Sequence, residues 1–369
     1  MAPRAMDLVA RQGVQFVVEA GAGAAAGFPD SEYAERGARV FAGREEVFAA
    51  AEVVLQVRTY GANPEAGRAD LPLLRAGQVL IGFGEPLGAP GEHAELARLG
   101  VTSFAMELIP RITRAQSMDA LSSMATIAGY KAVLLAANAL PRMFPMLMTA
   151  AGTVTPARVF VLGAGVAGLQ AIASARRLGA VVSAYDVRPA VKEQVESLGA
   201  RFVEVPLETA GAEDQGGYAR ELGEEFYRRQ RDVLTEVVRQ NDVVITTAAV
   251  PGRRAPVLIT REMAERMAPG SVIVDLAAER GGNCDLTVPG RTVVHAGVTV
   301  MGPLNLPSEV PYHASQMYAR NVAALLRHLV RDGALAIDLQ DEITRETLVT
   351  HGGEVVHPRV AQALVPAGR

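Results

Sequence analysis

Residues 159–188 read VFVLGAGVAGLQAIASARRLGAVVSAYDVR, a glycine-studded turn between two apolar runs that closes on an acid. Residues 159–162 are short, apolar and strand-like, and residues 166–178 repeat their apolar positions at a helical period. The glycines therefore fall at a strand-to-helix junction. In a βαβ unit, a first glycine (Gly163) permits the tight turn and a second (Gly165) lets backbone approach a pyrophosphate. A third (Gly168) lets helix and strand pack closely. N–H groups at the helix start face the anion. A second strand-like run over 180–184 leads to Asp186, at about the 20-residue spacing of the acid that accepts from a ribose hydroxyl. The stretch reads as a dinucleotide site; a plain tight turn in an α/β domain is the simpler alternative.

Asp186 would repel a ribose 2′-phosphate, whereas Arg188 could attract one. Weighting the acid at the strand end more heavily favours NAD(H), with Arg188 as a loop cation near the adenosine.

The chain has 369 residues, 49% hydrophobic and 21% charged, enough for two α/β domains with real cores. A net charge of −4, no tryptophan and 5% aromatics offer neither a basic footprint nor stacking platforms for nucleic acid. The lone Cys284 cannot close an intrachain disulfide, and no signal-peptide core opens the sequence, so a reducing cytoplasm is expected. Direct membrane insertion is not expected: no apolar run approaches the roughly 20 residues of a span, and the most membrane-like piece, 143–149, contains Pro145.

Strand-like pieces at 14–18, 53–57, 79–83 and 102–105 alternate with helical ones at 5–11, 45–51 and 92–99, which predicts a first α/β sheet. A helix over 113–140, stopped by Pro141, leads to the glycine-turn domain, with further strands at 243–246, 272–275 and 298–300. From Tyr312 another helix returns to the first domain. The expectation is two Rossmann-like, doubly wound parallel-sheet domains separated by a cleft. The first comprises residues 1–120 plus 318–369 and the second 121–317. The polar stretch LETAGAEDQGGYAR, 207–220, is equally readable as a lid or as a solvated insertion.

PRITRAQSMDALSSMA, residues 110–125, is the other chemical-looking stretch. Thr113 with Gln116 forms a capping-box pattern, and Asp119 suits the positive end of a helix dipole. Alternatively Gln116, Asp119 and Ser122, three apart with Arg111 just before, form a polar edge able to hold a carboxamide and a ribose. The residues alone leave both readings open.

PRITRAQSMDALSS, the GAGVAGLQAI turn with AYDVR, GGYARELGEEF, ITTAAVPGRRAPVLIT, VIVDLAAERGGNC and GPLNLPSE together resemble the soluble NAD(H)-binding component of proton-translocating nicotinamide nucleotide transhydrogenase. The likeness runs from residue 3 over nearly the whole chain. It implies a nicotinamide-side loop carrying over to Arg111, Ile112, Thr113, Gln116, Ser117, Met118, Asp119 and Ser122. It implies a phosphate turn at Gly163, Gly165, Val166 and Gly168, and ribose contacts at Asp186, Val187 and Arg188. A mobile loop would include Gly217 and Tyr218, followed by Gln230, with an adenine-side contact at Ala249.

The resemblance further implies a homodimer, peripheral to the inner membrane through a separate membrane-embedded subunit and facing an NADP(H)-binding beta subunit. Hydride would pass directly from NADH to NADP⁺, coupled to proton movement elsewhere. Such chemistry needs positioning and water exclusion rather than a protein acid, base or metal. The six histidines, His93, His295, His313, His328, His351 and His357, show no metal or triad spacing, and each is expected to be hydrogen-bonded or exposed.

A stand-alone alanine dehydrogenase, similar in fold, is the alternative. The resemblance to that family calls for a Lys and a His at first-domain strand ends. The corresponding ends, LQVRTY and LIGFGEPLG, hold neither, and Arg58 alone could anchor a carboxylate. A non-catalytic NAD-sensing or scaffold role is a third reading. Members of the transhydrogenase family also begin with a strand and an arginine-bearing turn before the helix that opens here at Ala5. Either the start lies too far downstream or the first domain dispenses with a strand, which would leave an unpaired edge and a less stable protein.

Overall fold

The computed structural model describes residues 1–205, 224–248 and 254–365. Gly217, Tyr218 and Ala249 lie outside the described residues. The chain forms two compact units, Met1–Met124 with Pro311–Arg369, and Ala125–Val310.

In the second unit the valine-rich runs become strands because both faces are covered: Val159, Phe160 and Val161, and likewise Val243, Val244 and Ile245, are fully buried. Each such side chain contributes roughly 1.5–3 kcal/mol by leaving water. The sheet order is Arg201–Phe202, Val181–Tyr185, Arg158–Leu162, Val243–Thr246, Val272–Asp275, Val298–Met301, Thr292–His295. All pairs are parallel except the last, a hairpin whose turn residues Ala296 and Gly297 both have positive φ. Strand order reverses between Arg158–Leu162 and Val243–Thr246. A doubly wound sheet opens a ligand crevice at that reversal, outside the strands' carboxyl ends. The glycine-turn helix Val166–Arg177 buries Gly168, Ala171, Ile172 and Ala175 on one stripe and ends in Arg176 and Arg177, which suit its negative end.

The first unit carries a five-stranded sheet ordered Glu354–Val355, Leu348–His351, Thr102–Ala105, Val79–Phe83, Val53–Arg58, with a parallel centre and antiparallel strands added by the returning chain. Val17–Glu19 and Arg39–Phe41 pair separately, in parallel. Both sheets share one core with the helices Pro3–Ala10 and Pro311–Leu329. In it Met6 and Val9 join Val79, Ile81, Phe104, Val322, Leu326 and Leu329.

The single helix expected over 113–140 is two elements. A 3₁₀ segment, Thr113–Met118, ends at Asp119 (φ −69°, ψ 87°), and an α-helix, Ala120–Ala139, follows. This α-helix also revises the hydropathy expectation. It is long and apolar enough, by length and composition, to cross a membrane, with a mean hydropathy of 1.4 and a third of its most apolar window buried. Ser122, Ser123, Thr126 and Lys131 break the apolar run in the sequence, so the span is legible only over the whole helix. Ala132, Val133 and Ala136 pack in the second unit's core, and Lys131 pairs with Glu309 at 3.1 Å. The stretch expected to be most membrane-like contributes instead to an exposed hairpin, Leu147–Thr149 against Gly152–Val154, with Met148 81% exposed.

Candidate functional site

The phosphate turn gives its three glycines different physical duties. Gly163 has φ +98°, and a Cβ there would stand 2.6 Å from the Thr247 hydroxyl. At Gly168 a Cβ would fall 1.9 Å from the Gly163 carbonyl oxygen, so only hydrogen fits between helix and turn. Gly165, at the N-cap of Val166–Arg177, has ordinary dihedrals (φ −75°, ψ −167°), and its Cβ direction is open, with Arg188 Nη2 nearest at 4.0 Å. Backbone strain and packing thus require glycine at 163 and 168. At 165 neither does, and the residue leaves a bare cradle at the amino end of a twelve-residue helix. That cradle, which a methyl would fill, fits a pyrophosphate. Val166 beside it is exposed.

Asp186 follows the strand Val181–Tyr185 and is buried. Its Oδ2 accepts from Ala164 N–H (2.8 Å) and Arg188 Nη2 (2.8 Å), and its Oδ1 from Arg188 N–H and Nε (both 2.9 Å). Arg188 is therefore folded onto the acid rather than standing as a separate loop cation. Chelation closes a short loop, and the near-dry pair gains more Coulomb energy than a surface pair would. Val187 packs partly buried against the neighbouring core. Gln230, buried on Glu224–Arg239, donates through Nε2 to the Tyr185 hydroxyl at 2.9 Å, which ties that helix to the strand ending beside Asp186. Burial pushes the Tyr185 hydroxyl up to about 12, so it remains protonated.

The 110–125 stretch belongs to the first unit up to Met124. Thr113 is not a cap: Ile112 holds the N-cap position of the 3₁₀ segment, with no side-chain bond. The capping residue is Asp119, whose carboxylate accepts from Ser122 N–H (2.8 Å) and Ser122 Oγ (2.6 Å) at the start of Ala120–Ala139. The backbone break at Asp119 is what puts its side chain over the helix start. Ala115 and Met118 are buried in the core, Ile112 packs against it, and Asn321 Nδ2 donates to the Ser117 carbonyl at 2.9 Å. These anchors leave Arg111, Thr113, Gln116 and Ser117 on the exposed side.

Two histidines meet the expectation at one ring nitrogen only. His93 is buried, with Nε2 2.9 Å from the Gly84 carbonyl oxygen and Nδ1 without a hydrogen-bond partner among the described residues. His357 is also buried with an unpartnered Nδ1. Burial lowers both pKa values, which favours the neutral ring, and an unpaired nitrogen costs less when uncharged. At the same strand ends Glu107 accepts from Gly84 N–H (2.9 Å) and Glu85 N–H (2.5 Å), and burial raises its carboxyl to about 7. Among the described residues no three His, Cys, Asp or Glu side chains gather to hold a metal ion.

Comparison with known proteins meets this geometry at full length. A model of the alanine dehydrogenase/PNT N-terminal domain matches residues 1–128, and one of the C-terminal domain matches residues 132–358. The chain belongs to the alanine dehydrogenase/PNT family. The first portion of NAD(P) transhydrogenase subunit alpha of Rhodospirillum rubrum is 46% identical over 97% of this chain and 94% of that protein. The crystal structure of transhydrogenase from Sinorhizobium meliloti superposes with a TM-score of 0.85 at 46% identity, covering 96% of this chain and 95% of that one. A solved L-alanine dehydrogenase gives a TM-score of 0.80 at 26% identity over 98% and 94%. Within the family the chain thus groups with transhydrogenase alpha subunits.

In this family member several residues that shape the site carried no signal in the sequence. Thr247 donates its hydroxyl to the Gly163 carbonyl at 3.0 Å and buttresses the turn. Asn283 holds both sides of the neighbouring strand end, accepting from Ala248 N–H (3.0 Å) and donating to the Ala248 carbonyl (2.8 Å). Asp275, fully buried, holds Asn283 in turn, taking N–H bonds from Ala277, Asn283 and Cys284 and hydroxyl bonds from Thr246 and Thr287. Gly129 lets the Ala120–Ala139 helix reach the turn, since a Cβ there would meet the Ala167 carbonyl oxygen at 2.1 Å. The motif VIVDLAAERGGNC was visible in the sequence, but its role as a strut was not.

Proposed function

We propose that this chain is the NAD(H)-binding component of a proton-translocating transhydrogenase, acting on NADP⁺ held by a partner subunit, with proton movement carried by a separate membrane-embedded subunit. The observation that carries the reading is the open Gly165 cradle at a helix amino end, with Asp186 closing the next strand. Bound there, NAD(H) would supply or accept hydride.

The chain's own residues then bind, orient and exclude water. The backbone around Gly163–Gly168 takes the pyrophosphate, and Asp186, Val187 and Arg188 take the adenosine ribose. Gln230 supports Tyr185; Gly217 and Tyr218 of the loop that the family resemblance implies, and Ala249 as its adenine-side contact, belong to the same reading and lie outside the described residues. Arg111, Ile112, Thr113, Gln116, Ser117, Met118, Asp119 and Ser122 orient the nicotinamide side. The name subunit alpha, borne by the 46%-identical relative, supports partner subunits; on this reading the chain is cytoplasmic and peripheral to the inner membrane through them. The apolar hairpin with Met146, Leu147, Met148 and Val154 exposed supports a homodimer.

Titration of NADH fluorescence with the purified chain, followed by hydride transfer on addition of the NADP(H)-binding partner, tests the proposal; absence of NADH affinity refutes it. Glu107, poised near neutrality at first-unit strand ends, favours a second reading as an alanine dehydrogenase-like enzyme, because it offers a proton-transfer group beside strand-end segments, LQVRTY and LIGFGEPLG, that themselves carry neither Lys nor His. Alanine-dependent NAD⁺ reduction by the isolated chain would establish that reading.

A further inference from the structure

We propose that Thr247 positions the ribose acid Asp186 from across the phosphate turn, acting through the one peptide plane that joins Gly163 to Ala164. The inference rests on the dinucleotide reading above. Gly163 has φ +98°, which glycine takes without strain, but the missing side chain also leaves the peptide that follows it free to rotate. That freedom is removed at both ends of the plane. On one side the Thr247 hydroxyl donates to the Gly163 carbonyl at 3.0 Å, and on the other Ala164 N–H donates to Asp186 Oδ2 at 2.8 Å. The carbonyl and N–H of a trans peptide point in opposite directions, so a rotation that breaks one bond breaks the other. The donor on residue 247 therefore sets where the acid's oxygen is held.

Thr247 is itself a fixed post. Its N–H donates to the Leu162 carbonyl at 2.9 Å, Thr246 before it bonds Asp275, and Ala248 after it is held by Asn283 through both backbone groups. Gly163 N–H is taken in turn by the Tyr185 carbonyl at 2.8 Å. The Thr247 hydroxyl stands 2.6 Å from where a Cβ on residue 163 would lie, so it reaches the carbonyl only because that residue is glycine. The strands Val181–Tyr185 and Val243–Thr246 flank Arg158–Leu162, so the acid that follows the first is registered against the residue that follows the second. A ribose hydroxyl donating to Asp186 then meets a carboxylate fixed by backbone on both oxygens, Oδ2 by Ala164 N–H and Oδ1 by Arg188 N–H at 2.9 Å. Hydrogen bonds weaken steeply with angle, so loosening Ala164 registers in affinity.

The test uses the full chain with Thr247→Val, Thr247→Ser, Asp186→Ala and the Thr247→Val, Asp186→Ala double variant, and reads two quantities. One is amide hydrogen exchange at Ala164 without ligand; the other is NADH fluorescence titration, with melting temperatures recorded for each variant. Thr247→Val should speed Ala164 exchange by at least about tenfold and weaken NADH binding about tenfold, and Thr247→Ser should restore both to within about threefold. On the Asp186→Ala background Thr247→Val should cost less than about threefold, because the group it positions is gone. Unchanged Ala164 exchange in Thr247→Val, failure of serine to restore it, or an equal cost with and without Asp186 would overturn the positioning role. Should Thr247→Val fail to fold, Thr247→Ala removes the same donor and carries the comparison; collapse of both would make Thr247 a structural residue and overturn the proposal. Should Asp186→Ala prove unstable, the exchange and serine arms decide alone. An exchange effect of the expected size in a wild-type background that shows no NADH affinity would instead overturn the dinucleotide reading.

Discussion

Two alanine substitutions three residues apart in one turn should fail in different ways. At Gly165 the dihedrals suit any L-residue and the Cβ position is open to 4.0 Å. Gly165→Ala should therefore change unfolding free energy by no more than about 0.5 kcal/mol. Its methyl, however, stands in the cradle proposed for the pyrophosphate. Losing one charge-assisted hydrogen bond, at roughly 1.5–3 kcal/mol, corresponds to about a 10- to 100-fold loss of NADH affinity.

At Gly168 the new Cβ would lie 1.9 Å from the Gly163 carbonyl oxygen. Ordinary contact is about 3.4 Å, so helix and turn must part by about 1.5 Å, and overpacking of this kind costs about 1–3 kcal/mol. For a domain of this size the melting temperature should fall by about 2–10 °C, with NADH affinity falling too. Differential scanning fluorimetry and NADH fluorescence titration on the two variants separate the effects. If Gly165→Ala melts as early as Gly168→Ala, or binds NADH as the wild type does, the assignment of separate duties to the two glycines is wrong.

Three further outcomes follow from contacts elsewhere. Gly129→Ala puts a methyl 2.1 Å from the Ala167 carbonyl oxygen and should lower both melting temperature and NADH affinity, although the residue lies outside the turn; unchanged melting would count against the close approach. Asp275→Ala strands five donors, four of them buried, at about 1–3 kcal/mol for each buried one before relaxation, so urea unfolding should show a loss of at least about 3 kcal/mol, and a loss under about 1 kcal/mol would contradict the strut. Glu107, raised from 4.5 to about 7, binds a proton in the folded state that the unfolded chain has released. Its stabilising effect is thus complete below about pH 4.5 and is lost as pH rises to about 7, by on the order of 3 kcal/mol. Melting temperatures from pH 5 to 8 should decline more steeply in the wild type than in Glu107→Gln; parallel curves would refute the shift.

The amino-acid sequence alone determined what depends on neighbours along the chain. Runs such as 159–162, 243–245 and 272–274 are apolar without interruption, which only a strand covered on both faces can use. Glycine at 163 and 168 is imposed by local backbone geometry and by a helix packing on its own preceding strand. The position of Asp186 follows from counting residues through one βαβ unit.

Tertiary structure decided what depends on which distant or rotatable groups meet. Thr113 and Gln116 carry a capping pattern, but the chain turns sharply at Asp119 and that residue caps instead, because Ala115 and Met118 are drawn into the core. Gly129 gains its importance from Ala167, and Asp275 from a loop that returns eight or more residues later. Arg188 could face solvent, phosphate or Asp186 with equal local propriety. Its placement on the acid follows from the burial of Asp186, which makes a charged partner within reach worth far more than water, and no periodicity or spacing records that energy.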